Sequence, residues 1–403
     1  MMAATAAAGR GKRVVLLEKM DQPGRKLRIT GKGRCNLTNT APLKDFLTHV
    51  GPDARFLRNC FARFFNTELM DFFEQRGVPL TVERGNRVFP SSGKALDIFL
   101  ALVEHLEQNP NVEIRKNSTV KSLIFVDNDD GSRRVGGVRL LNGTPVFAPK
   151  VVIATGGLSY PTTGSTGAGY QLARDAGHTV GDTFPSLVPL VCKETIPPDL
   201  EAFTLKNIRL WIAPAEGKKL FDSFGELAFT ADGLGGPLAL SASRLVSRRL
   251  HCGEELVAHI DLKPAVEADE LDRRLIKDLD ANGTRVFNDA LRLWLPSEII
   301  PLALKSMHIE YYKRLNQINA QERHRLLAFL KDCRLTLTGT RDYTEAIVTQ
   351  GGVNLKEIDP KTMESRLVKG LHFVGEVLDL DGDTGGYNLQ IAFSTGYAAG
   401  SAV

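Results

Sequence analysis

"AAAGRGKRVVLLEKMDQPGRKLRITGKGRCNLTN" spans residues 6–39, and its first half decides how the rest of the chain is read. An apolar run, Val14 to Leu17, ends in Glu18. In a doubly wound sheet such an acid closes the second strand and takes a ribose hydroxyl, about twenty residues after a glycine fingerprint. No GxGxxG stands ahead of it, so the stretch reads as the middle of a nucleotide-binding unit, with Met1 to Ala8 as the remainder of its first helix. Beyond Glu18 the chain is basic and glycine-rich: Arg25, Lys26, Arg28, Lys32 and Arg34 interleave with Gly24, Gly31 and Gly33. A solvated loop is the plain reading of such a run, yet interleaved glycine also lets backbone approach an anion closely.

Outward from there, residues 52–77 and 94–108 carry apolar groups at helical spacing, closed by Gly77 and Pro110. From Val112 to Ile153 the period shortens to alternation broken by "DNDDGS" and "NGTP", which predicts a β-meander. It leads into "KVVIATGG", a buried parallel strand whose exit turn must pass close to something. "GSTGAGYQLARDAG" then starts a helix near Thr166 or Gly167. Residues 189–333 differ, with proline punctuation, strand-like pieces at Ile208–Ala213 and Glu226–Thr230, and leucine-rich helical patterns from Ala265 to Lys331. They predict an inserted unit, part β and part helical, interrupting a first unit made of 1–188 and 334–403. In the tail, the strand Leu371 to Val374 ends in Gly375 and Glu376, and a last helix opens around Gly385, Gly386 and Asn388. Unpaired amides in its first turn would accept an anion or a polarised carbonyl.

The 403 residues allow two or three compact units, and 43% hydrophobic with 24% charged residues is an ordinary globular balance. A net charge of +4 is too small to call for nucleic acid. Five scattered cysteines without a CxxC pair and eight histidines without HxxxH spacing give no support to a disulfide framework or a metal site. Neither a GxSxG elbow nor a GxxxxGK[ST] loop occurs, and no second GxGxxG marks a nicotinamide site. No apolar stretch is long enough to cross a bilayer, and the expected location is the cytoplasm.

Three blocks, "PGRKLRITGKGRCNLTN", "ATGGLSYPTTGSTGAGY" and residues 345–400 ending "GEVLDLDGDTGGYNLQIAFSTGYAAG", together resemble the BaiN-like, or aminoacetone-oxidase-like, bacterial NAD(P)/FAD-dependent oxidoreductases. The resemblance spans nearly the whole chain. It implies a doubly wound, Rossmann-like FAD domain of the two-dinucleotide-binding-domain type, with an inserted β-barrel and a small helical subdomain. By motif, Glu18 would hold the adenosine ribose, and Lys19, Arg25 and Lys26 would meet the cofactor. Arg34, Cys35 and Asn36 would border the flavin, and Val120 would offer backbone to the adenine. Ala154, Thr155 and Gly156 would pass the cofactor's central portion, and Gly375 and Glu376 the ribityl or pyrophosphate. Gly385, Gly386, Asn388 and Leu389 would meet the ring's pyrimidine edge.

The activity so implied is hydride transfer through flavin N5 to or from a small organic substrate, with NAD(P)H a possible electron donor. An involvement in RNA modification or binding, and a non-functional fragment, are the alternatives. The chain departs from the family pattern twice. The phosphate fingerprint is missing, and a doubly wound sheet without its first strand is expected to bind FAD weakly, an upstream extension restoring it. "FTADGLGGP" places Ala231 and Gly235 where relatives carry polar side chains, which weakens any proton-transfer role there. Cys35, beside Arg34, is the one thiol placed to be reactive, against the alternative of an inert buried cysteine.

Overall fold

The computed structural model describes residues 1–127, 131 and 133–403, which divide into two compact units: Met1–Pro185 with Tyr343–Val403, and Ser186–Asp342. The second boundary falls later than 333/334 because the strand Cys333–Thr340 closes the barrel of the second unit.

The first unit carries the dinucleotide-fold elements. Helix α1 (Met2–Ala8) leads to strand β1 (Val14–Leu17), which pairs parallel with β2 (Val112–Arg115). Strand β3 (Val151–Ile153), helix α2 (Ala168–Asp175), strand β4 (Leu371–Phe373) and helix α3 (Tyr387–Ala402) follow, β3 and β4 pairing parallel in the register Val151 to Leu371. The parallel strands thus stand as two pairs among the described residues. All four are short; β1 and β3 are wholly apolar, whereas β2 carries the ion pair Glu113–Arg115 and β4 the buried His372. Gly396 and Gly400 of α3 let α1 lie against it: a β-carbon on Gly400 would sit 2.1 Å from the Ala3 carbonyl oxygen.

The expected helix over 94–108 is present as Ala95–Glu107, but 52–77 is broken into Ala54–Leu57, Arg58–Phe61 and Asn66–Glu74. Its phenylalanines explain the break. Phe46 meets Phe61, Phe65 and Tyr387 edge to face, and packing around that cluster decides the path over helical propensity. The meander runs through Val120–Asp127, Arg133–Leu140 and Pro145–Phe147, and most of its "DNDDGS" turn lies outside the described residues.

The second unit is a closed barrel with the strand order Leu190–Cys192, Gly233–Gly235, Phe221–Thr230, Thr204–Pro214, Leu256–Asp261 and Cys333–Thr340. Helices Gly236–His251, Ala268–Ala281, Ile300–Met307 and Ala320–Lys331 share its core with Phe229, Phe287 and Leu326. Gly235 lies buried in the barrel wall, where a polar side chain would have no water, while Ala231 is exposed. No helix among the described residues is long and apolar enough to cross a membrane.

Candidate functional site

The site is built where parallel strands end. Leu17, Ile153 and Phe373 are the last residues of β1, β3 and β4, and the segments leaving them converge. From β1, the chain turns at Glu18, whose Oε1 accepts from the Met20 amide at 2.8 Å. The Glu18 carbonyl accepts from the Ser118 amide at 2.8 Å, which holds the turn beside the start of the strand carrying Val120. Past the turn, three cations reach one loop. Lys19 Nζ donates to Thr166 Oγ1 at 2.7 Å, Arg25 to the Thr162 carbonyl at 3.5 Å, and Lys26 Nζ to Ser159 Oγ at 2.5 Å.

That loop leaves β3 through Ala154, Thr155 and Gly156, the first two exposed at the strand's carboxyl end. Gly169 is glycine because a β-carbon there would fall 2.1 Å from Thr155 Oγ1.

Glu376, two residues beyond Val374, joins all three segments. Its Oε2 accepts from Lys26 Nζ at 2.6 Å, and its Oε1 from Ser159 Oγ at 2.7 Å and the Thr349 amide at 2.9 Å. Thr349 Oγ1 in turn accepts from the Leu158 and Ser159 amides. Both carboxylate oxygens are therefore spent on protein donors, and Glu376 acts as a tie between loops. Lys26 and Glu376 side chains are only 22% and 19% exposed, so their attraction is little screened.

The start of α3 makes the other half. Gly386 caps the helix at φ +98°, and a β-carbon on it would lie 2.3 Å from the Thr38 carbonyl oxygen, so only glycine allows this docking. Asn39 Nδ2 donates to the Gly385 carbonyl at 3.1 Å. Asn388 is turned inward to its own loop, bonding Gly382 through both amide atoms and the Asp383 carbonyl. The first intrahelical donor is Gln390, to Gly386, and no side chain caps the helix. The amides of Tyr387, Asn388 and Leu389 are thus unspent within the helix, at its positive end.

Just upstream of Thr38, the loop that carries Arg34, Cys35 and Asn36 is strained. Gly31, Lys32, Gly33 and Cys35 all have left-handed backbone, at φ of 58°, 57°, 83° and 57°. It is held by bonds from Cys35 N to the Thr30 carbonyl and from Leu37 N to the Val88 carbonyl. Arg34 turns outward to Glu83 and over the Phe89 ring. The Cys35 thiol is fully buried, and burial pushes it up to about 12 against a weaker opposing hydrogen bond from Thr30, so it is the inert cysteine of the two alternatives.

Asn36 Oδ1 is buried without a hydrogen-bond partner. That orphaned acceptor, the unspent amides of α3 and the partly engaged Glu18 carboxylate fit a dinucleotide cofactor with a polar ring edge.

A second constellation, Ser365 Oγ to His178 Nε2 at 2.7 Å and His178 Nδ1 to Glu357 at 3.0 Å, has the order of a hydrolase triad. It is structural: the His178 side chain has no exposure, and Ser365 Oγ accepts from the Leu367 and Val368 amides.

Loops tied together at the carboxyl ends of parallel strands, with an acid at the end of the first and a glycine-opened helix after the last, define a Rossmann-like dinucleotide-binding fold. The match to the HI0933-like protein Rossmann domain over residues 1–402 makes the chain a member of that family. It is 33% identical over 394 residues to a 3-dehydro-bile acid delta(4,6)-reductase of Clostridium scindens, covering 96% of this chain and 92% of that one. It is 32% identical over 398 residues to a ribosomal RNA dihydrouridine synthase of Escherichia coli, covering 98% and 94%. Among solved structures, a quinol-fumarate reductase with menaquinol is matched at a TM-score of 0.49 and 17% identity, over 99% of this chain and 68% of that one. The protein is a flavoprotein of the oxidoreductase class, and its cofactor is FAD.

The sequence reading missed Ser159, Thr349, Thr38 and Asn39, which orient the predicted residues, and the pair His49 and Asp383 beside α3. Single hydroxyls and a lone histidine carry no spacing signal.

Proposed function

We propose that the protein uses FAD to reduce a carbon–carbon double bond conjugated to a carbonyl in a small organic substrate. The two relatives support this reading through what their names share. Removing the 4,6 unsaturation of a 3-dehydro-bile acid and converting uridine to dihydrouridine both saturate a C=C bond in conjugation with a carbonyl. In this chain the observation that supports it is that the loops leaving β1, β3 and β4 are tied together by Lys26, Ser159 and Glu376, with Glu18 at the end of β1 and unspent amides at the start of α3.

FAD, once reduced, would supply a hydride at N5. The chain supplies position and charge. Glu18, through its second carboxylate oxygen, would hold the adenosine ribose, with the backbone near Val120 against the adenine. Ala154 to Gly156 and Gly375 would flank the middle of the cofactor, their position set by Glu376. The amides at Gly386 to Leu389 would face the pyrimidine edge and stabilise negative charge there, while Asn36 Oδ1 offers an acceptor near the ring.

The test is anaerobic turnover of a 3-oxo-4,6-diene steroid, read by mass spectrometry as the gain of two hydrogens per double bond. Unchanged steroid overturns the reading. A second reading, uridine within ribosomal RNA as the carrier of the same double bond, is favoured by the dihydrouridine synthase relatives. Dihydrouridine formed in rRNA by an enzyme inert toward the steroid would select it.

A further inference from the structure

Reduction of a conjugated double bond needs a proton as well as a hydride, and Lys26, Glu376, Cys35 and Arg34 are not placed to give one. Lys26 and Glu376 are locked to each other, Cys35 is buried with its thiol pushed up, and Arg34 faces away. We propose that His49, oriented by Asp383, is the proton donor, an inference that rests on the reading of the protein as a reductase of conjugated double bonds.

His49 Nδ1 lies 2.9 Å from Asp383 Oδ2. The pair is fixed by more than that contact. The Asp383 amide donates to the His49 carbonyl at 2.8 Å, and Val50 and Gly382 form a bridge beside it. The imidazole stacks on Tyr387 with ring centroids 4.6 Å apart and planes 22° apart. Tyr387 is itself buried against Phe46, so the imidazole has a rigid floor. The ring is thus held edge and face. Its side chain is 43% exposed, and Nε2 makes no hydrogen bond among the described residues.

A carboxylate on Nδ1–H leaves Nε2 as the atom that exchanges protons, the arrangement of a general acid or base with its orienting group. Place on the chain connects the pair to the site. Asp383 stands two residues before Gly385 on the loop that opens α3, Tyr387 is that helix's first residue, and Asn388 bonds the Asp383 carbonyl at 3.2 Å. The group that orients the acid is therefore built on the same loop as the amides that would face the flavin, and His49 is held against that loop by Asp383 and Tyr387.

The step balances as follows. A two-electron reductant of the reduced-nicotinamide class provides the hydride that FAD carries, and this hydride forms a C–H bond at the carbon β to the carbonyl. The π pair of the double bond moves to the α carbon, where it takes the proton from His49 Nε2. The imidazolium becomes neutral imidazole, with Nδ1–H still on Asp383, and regains a proton from water.

The experiment compares wild type with His49→Gln after anaerobic photoreduction of the bound flavin, following its reoxidation. With the 3-oxo-4,6-diene steroid as oxidant, H49Q is expected to be slower by about 10²- to 10⁴-fold. With ferricyanide, which takes electrons and no proton from the protein, the two should agree within about twofold. Steroid reoxidation within about threefold of wild type, or an equal loss with both oxidants, overturns the assignment. A wild type that ignores the steroid refutes the substrate reading instead, and the proton donor is then judged by ¹⁵N NMR of the neutral ring. Nδ1–H in wild type, shifting to Nε2–H in Asp383→Asn, is expected; Nε2–H in wild type overturns the proposal.

Discussion

Replacing Lys26 by methionine tests how far the Lys26–Glu376 ion pair holds the site's loops together. The side chains of Lys26 and Glu376 are about four-fifths buried, between the surface regime, worth about 0–1 kcal/mol, and the fully buried one, where stranding one partner costs about 3–5 kcal/mol. Glu376 keeps two of its three donors, Ser159 and the Thr349 amide, and loses only the one on Oε2. Methionine preserves the aliphatic stem. The expected loss is about 2–3 kcal/mol, which in a unit of this size lowers the melting midpoint by about 4–12 °C. Because the same ion pair joins the segments leaving β1 and β4, FAD affinity should fall with it, beyond what a mere surface change does. Adding Glu376→Gln should recover part of the loss, since no buried charge is then left unpaired, and the double-mutant cycle should show coupling of at least about 1 kcal/mol. Urea denaturation followed by circular dichroism gives the free energies. A K26M loss below about 0.5 kcal/mol, or additivity in the cycle, would refute the reasoning.

Three further outcomes follow from the geometry. Gly386→Ala should destabilise by more than about 3 kcal/mol or abolish flavin retention, because its β-carbon would meet the Thr38 carbonyl at 2.3 Å on a left-handed backbone; purification of a yellow, normally stable variant would contradict this. Burial holds the His178 imidazole below its ordinary value, against the opposing Glu357 carboxylate, so folding favours the neutral ring. Its contribution is complete above the unfolded value of about 6.5 and is lost as pH falls through the lower folded value; stability measured from pH 8 to 5 should drop, less steeply in His178→Gln. His259 and His372, shifted the same way by burial, add to that slope. Of the five thiols only Cys252 is exposed, so a thiol reagent should titrate one group in the native protein and none quickly in Cys252→Ser, whereas rapid labelling of Cys35 would show that the flavin loop opens.

The sequence made the dinucleotide unit legible because its signals are local. An all-apolar strand ending in an acid, a strand ending in "ATGG" and a helix opened by Gly385 and Gly386 each carry their conformation in a few residues, and α2 and α3 begin where those residues place them. Residues 52–77 read as one helix because a run of phenylalanines satisfies helical spacing and an aromatic cluster equally well, and contacts with Phe46 and Tyr387, outside the run, decide between them. The expected end of the insert at 333 leaves out the barrel's last strand, Cys333–Thr340, for a similar reason: its partners, Leu256–Asp261 and Leu190–Cys192, are far off in the chain. Within the site, Glu376 was legible as a residue at a strand end but not as a tie, since Lys26 stands 350 positions away. His49 and Asp383 are separated by 334 positions, and nothing in either neighbourhood marks them.

The most direct measurement is a crystal structure grown with FAD. The account predicts the adenosine ribose against Glu18 and the ring's pyrimidine edge at the amides of residues 386–389, with Lys26 still bound to Glu376. Flavin bound elsewhere, or those amides turned onto side chains of the protein, would contradict it.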